Sequence, residues 1–276
     1  AVQVTDEVDL SKINDLRADT TGDITVDEIK DNKANLSIVD AFVAEQGVIG
    51  DVILSNSDIT VTDVVDKSEA DIINGYNVAS GTVFLTSISD TLENVNNVQS
   101  NEGISLDNSL ISVSDTVSFS DAKDLNSYTE ELVTLRDVKD TFDNIKAIDN
   151  FDSNEVTMAD AVAQVIDEVD LSKINDLRSI TTANITLDFL ADSKENLSTI
   201  NEFEIEQGVN GPINGDVILS NTDITVTGVV NRSEADIING YNDVSGTVTL
   251  TSVTDVLANV NALSTTAGIS ITASDL

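Results

Sequence analysis

The chain repeats itself, and that limits its possible folds more than any other property. The segment Asp6 to Arg17, DEVDLSKINDLR, recurs letter for letter at Asp167 to Arg178, 161 positions on. SEADIINGY, Ser68 to Tyr76, recurs at Ser233 to Tyr241, 165 positions on. The four extra residues enter around Asn210 to Asn214, beside the single proline, Pro212. An insertion tolerated at one point of a repeat marks an exposed loop. Residues 2–111 thus resemble 163–276, and 112–161 is the least repetitive stretch.

A shorter period lies inside the long one. Ile/Leu, Asn, any residue, Leu/Tyr is centred on Asn14, Asn74, Asn126, Asn175 and Asn239. Asp, three residues, Asn, aliphatic begins at Asp31, Asp90, Asp140, Asp192 and Asp255. The two motifs alternate, which gives half-units of roughly 26 residues, within the range of strand-plus-helix repeats.

One half-unit shows what each does. Ser68 reads as an N-cap, and Ala70, Ile73 and Tyr76 share one helical face. Val83 and Leu85 then alternate with Thr82, Phe84 and Thr86 at the period of a strand. Asp90 reads as the next cap, favourable at the positive helix end, with Leu92, Val95 and Val98 as the apolar stripe. Helix, turn and strand follow one another, and successive strands sharing a sheet must run parallel. Elements this short cannot bury their faces alone, but stacking buries them. The expected fold is a single α/β solenoid over residues 1–276, short helix–strand repeats on a parallel sheet. The alternative is a right-handed parallel β-helix with irregular corners; the capping residues and three-residue spacing favour helices. In this reading Asp31, Asp90, Asp140, Asp192 and Asp255 cap helices, and Asn14, Asn74, Asn126, Asn175 and Asn239 form a buried amide ladder.

Composition narrows function. Lys+Arg 13 against Asp+Glu 50 gives a net charge of -37, which opposes binding to nucleic acid or anionic membranes. Without Cys or His there is no thiolate, no imidazole base and no Cys/His zinc site. No apolar run approaches a membrane span. The first residues hold no basic segment followed by an apolar run, and a chain starting at Ala1 is expected to be cut from something longer. Neither end reads as a polar capping unit, so copies are expected to stack head to tail, or the repeats to continue in a longer chain.

No catalytic residue and no required cofactor are expected, since carboxylates recur with the repeat whereas an active site usually occurs once. Calcium is the ion such a surface would take, with Asp149, Asp152 and Glu155 as the best local cluster. Asp51, Asp58, Asp63, Asp216 and Asp223 could line one sheet edge. Thr-x-Thr pairs such as Thr60/Thr62 read as ordinary solvent-facing strand residues.

SISDTLENVNNV and SVTDVLANVNAL, each followed by GIS and joined to capped SEADIINGY helices, carry a resemblance. The chain resembles repeat segments of long secreted bacterial surface proteins, cyanobacterial and proteobacterial, of adhesin-like or haemolysin type. The resemblance implies an extracellular structural or adhesive role: part of a surface layer, an adhesin or a self-assembling fibre. A calcium- or polysaccharide-binding surface module is the alternative.

Overall fold

The structure, a computed structural model, describes residues 1–37, 52–54, 56–77, 80–151, 155–199, 217–219, 221–242 and 245–272. The fold is α/β, parallel sheet flanked by helices. It divides into two compact units, one of residues 1–115, 121–134 and 153–156, the other of residues 116–120, 135–152 and 157–276.

The chain opens with β1 (Val2–Val4), α1 (Leu10–Asp19), β2 (Ile24–Val26), β3 (Glu28–Asp31), α2 (Lys33–Leu36) and β4 (Val52–Ile53). It continues with β5 (Asp58–Val65), α3 (Lys67–Asn74), β6 (Val83–Asp90), α4 (Leu92–Gln99), β7 (Ile104–Ser105) and β8 (Leu110–Val117). Then come α5 (Phe119–Asn126), β9 (Val133–Asp140), α6 (Phe142–Ile148), β10 (Val156–Thr157), β11 (Val162–Val169) and α7 (Leu171–Arg178). The last are β12 (Ile185–Asp192), α8 (Lys194–Leu197), β13 (Val217–Ile218), β14 (Asp223–Val230), α9 (Arg232–Asn239), β15 (Val248–Val253), α10 (Leu257–Leu263) and β16 (Ile269–Ile271).

In the first unit each strand pairs with its sequence neighbour. β5 lies beside β6, Ile59 opposite Val83, and after a bulge Val64 sits opposite Ser87. The first half of β6 also pairs with β7, whereas its second half pairs with β8, Ser87 opposite Leu110. β1, β2 and β4 form a separate parallel trio. The second unit repeats the scheme: β12 takes β13 on its first half and β14 on its second, Phe189 opposite Asp223.

The period-two pattern places one face of every strand in the core. Ile59, Val61, Val83, Leu85 and Ile88 are buried while Phe84 faces out. Helices bury one stripe each, Ala70 and Ile73 on α3, Val95 and Val98 on α4, Ile174 and Leu177 on α7. Each such aliphatic side chain contributes about 1.5–3 kcal/mol of burial.

Helix starts differ in detail from the sequence expectation. The N-cap of α3 is Asp66, not Ser68: its carboxylate accepts the Glu69 N–H, and Glu69 returns to the Asp66 N–H. Asn231 and Glu234 do the same on α9. A side chain one residue before the first helical position reaches the third N–H, and Ser68 stands too far into the turn for that. After α4 and α10 the chain turns through Gly103 and Gly268, whose φ values of +97 and +82 exclude an ordinary side chain.

Candidate functional site: a ladder of aspartates

Five aspartates stand in one chemical setting. Asp31, Asp90, Asp140 and Asp192 are the last residues of β3, β6, β9 and β12, and Asp255 follows β15. None is an N-cap. That place belongs to the next residue, Asn32, Thr91, Thr141, Ser193 or Val256. Strand pairing carries the backbone one residue further than the sequence motif suggests, so the aspartate stays in the strand.

From there each carboxylate holds three donors. One oxygen accepts the N–H of the following residue at 2.7–2.8 Å. The same oxygen accepts the amide of the asparagine four residues on, Asn35, Asn94, Asn144, Asn196 or Asn259, at 2.7–2.9 Å. The other oxygen accepts the first N–H of the helix before it, that of Leu10, Lys67, Phe119, Leu171 or Arg232, at 2.8–3.0 Å. That N–H has no partner inside its own helix, and the charge sits at the positive end of the helix dipole. Each aspartate therefore fastens one helix to the strand that follows it.

The intervening helices are fastened by aspartates inside strands. Lys33 donates to Asp63 at 3.2 Å, Leu92 to Asp115 at 2.6 Å and Phe142 to Asp167 at 2.7 Å. Sequence reasoning missed this role. Its signal is an aspartate one or two residues before the last valine of a strand: DVV, DTV, DEV.

Hydrogen bonding sets the ionisation. Burial pushes the Asp90 carboxyl up, but the donors Lys67 N–H, Asn94 and Thr91 N–H outweigh it and hold the group below its ordinary value. Asp140 shows the same balance with Asn144, Phe119 and Thr141. At Asp255 the Arg232 N–H is the main cause, with Asn259 and Val256 adding to the lowering.

The expected amide ladder is not what fills the bends. Asn14 and Asn175 are exposed, and Asn74, Asn126 and Asn239 half-buried. They lie on the outer side of their helices because the stripe Ile13/Arg17 or Ile174/Leu177 claims the inner one. Asn74 and Asn239 instead lie under Gly103 and Gly268, where a Cβ would come within 2.9 Å of their Oδ1. The buried polar rungs are hydroxyls. Ser57 donates to the Val26 carbonyl and Ser109 to the Leu85 carbonyl, while Thr181 reaches Ala161 O at 2.6 Å and Thr222 reaches Leu187 O at 2.7 Å. A Ser/Thr three residues after a buried leucine (Leu54, Leu106, Leu219) was the readable sign for three of them.

The expected calcium residues do not converge. Asp149 ends α6 as its C-cap, Asp152 lies outside the described residues, and the Glu155 backbone carbonyl accepts the Val133 N–H at 2.8 Å. Asp58 and Asp223 each accept a backbone N–H, from Thr82 and Thr247, both at 2.8 Å, while Asp51 and Asp216 lie outside the described residues. Among the described residues no three metal-ligating side chains come together.

Two open clefts of about 540 and 530 Å³ occupy equivalent places in the two long repeats. One is lined by Asp66, Lys67, Asp71, Asp90 and Asn94, the other by Asn231, Arg232, Asp236, Asp255 and Asn259. Lys67 pairs with Asp71 at 2.5 Å and Arg232 with Asp236 at 3.4 Å, so the cations there are engaged within their own helices. The arrangement suits holding backbone in place.

No protein-family model, curated protein or solved structure matches the chain.

Proposed function

We propose that the chain is an extracellular structural repeat protein, an α/β solenoid used in a surface layer, an adhesin or a self-assembling fibre. The observation that carries this reading is the ladder itself. Carboxylates that could do chemistry accept backbone N–H groups, one helix start after another, and the same geometry recurs along the chain. Sequential parallel pairing supports it, since each strand meets only near neighbours in sequence, as stacked repeats do. In this reading there is no catalytic centre and no required cofactor, and calcium acts by screening a surface of net charge -37. Its partners are further repeats of its own kind, with no nucleic acid and no membrane insertion. Among the described residues no helix is long and apolar enough to cross a membrane.

Antibody labelling of intact source cells tests the reading. Label on the outside of unpermeabilised cells, or in shed material, is expected. Label seen only after permeabilisation overturns it.

A further inference from the structure

The last described helix is covered less than its counterparts. Val256 and Leu257 at the start of α10 are 64% and 74% exposed. At the matching position of α6, Phe142 is 5% exposed. Val260, Ile269 and Ile271 are half-exposed, whereas Val95, Ile104 and Leu106 in the earlier copy are buried. β15 also stops at Val253, six residues long, whereas β6, β9 and β12 run for eight and pair their last residues with the following strand.

What covers α6 is known residue by residue. Asp167 accepts the Phe142 N–H, Lys173 lies 5.2 Å over the Phe142 ring, and Asp176 pairs with Lys146 at 2.5 Å. β11 adds Val162 opposite Asp137 and Val165 opposite Asp140. These contacts come from the stretch that Asp6 to Arg17 repeats letter for letter, and from the strand just before it. On that first copy the inward valines Val2, Val4 and Val8 are half-exposed, whereas Ala163, Val165 and Val169 are buried. One end of the chain therefore carries the cover, and the other carries the face that lacks it.

We infer that the N-terminal strand and helix of a second copy of this chain dock on α10 and β15, with Asp6 accepting the Leu257 N–H, Lys12 lying over Leu257 and Val2 and Val4 pairing along Val253 to Asp255. The contact is heterologous, so each joined copy leaves both faces available and association continues into chains of copies. The inference rests on the structural-repeat reading and deepens it by naming the joint.

Three variants test it, with sedimentation and electron microscopy in about 0.5 M NaCl to screen the repulsion. The unaltered chain is expected to associate as its concentration rises. Asp6→Ala is expected to raise the half-association concentration about tenfold, the effect of losing one charge-assisted hydrogen bond. Leu257→Glu and Asp6→Arg are each expected to stay monomeric alone. Mixed, they form dimers and nothing longer, because one keeps its head and the other its tail. Melting temperatures matching the unaltered chain show that all three fold. An unaltered chain that stays monomeric at every concentration overturns the joint, as do variants that associate like it. External labelling of cells stands or falls independently, so failure of the joint is distinguishable from failure of the structural role.

Discussion

The two copies of the long repeat differ at one fastening point. In the first, Asp63 within β5 holds the Lys33 N–H at the start of α2, and the next helical residue is Ala34. In the second, the strand position is Gly228 and the next helical residue is Glu195. The Glu195 carboxylate lies 4.0 Å from where a Cβ on Gly228 would stand. The negative charge has moved from the strand to the helix it serves. The helix start requires a charge in its neighbourhood, and either element can provide it. The strand aspartate does more, because it also ties the helix to the following strand. The rest of the constellation is kept: Lys33 pairs with Glu69 at 2.9 Å, and Lys194 with Glu234 at 3.1 Å.

The comparison can be broken or sharpened by measurement. The largest effect is expected from deleting a full staple. Asp140→Ala leaves the Phe119 N–H, the Thr141 N–H and the Asn144 amide without their acceptor and should cost about 3 kcal/mol in urea unfolding. Acid acts on several staples at once. Asp90, Asp140 and Asp255 have folded-state values below the ordinary 3.8, so their contribution is fully present above that value and is lost as pH falls through the lowered ones. Melting temperature should therefore hold down to about pH 5 and drop steeply below about pH 4. Next is Asp63→Gly, which gives the first copy the strand of the second without its glutamate. It should cost about 1–2 kcal/mol, and adding Ala34→Glu should recover part of that. The smallest effect is the reverse change. Gly228→Asp fits, its nearest neighbours being Lys194 atoms at 3.8 Å, but it faces Glu195. Alone it should change stability by less than about 0.5 kcal/mol; with Glu195→Ala it should gain about 1 kcal/mol.

Much of the architecture was legible because it rests on periodicity. Ile59 and Val61 in β5, and Ile73 in α3, sit where period two and the three-residue spacing put them. The motif Asp, three residues, Asn was legible too, but not its work. An aspartate before a helix reads locally as a cap, and its bond to the helix one rung earlier, Asp90 to Lys67, spans 23 residues that no local rule connects. Asn14 and Asn175 misled for the opposite reason. Apolar neighbours in sequence suggest burial, yet on a helix the adjacent residue points elsewhere. Ser109 and Thr222 escaped notice because a small hydroxyl is common in loops, and only the stacked carbonyls of Leu85 and Leu187 give it a buried partner.

The sequential pairing has a consequence for how the chain is made. Ile59 meets Val83, Ile88 meets Ile111 and Ala163 meets Ile185, each partner roughly two dozen residues further on. A strand leaving the ribosome or an export channel thus finds its partner after one more rung has emerged. The Asp90 carboxylate arrives with that rung and closes the helix start left open behind it. Folding can follow the order of synthesis, with only the newest rung exposed at any moment.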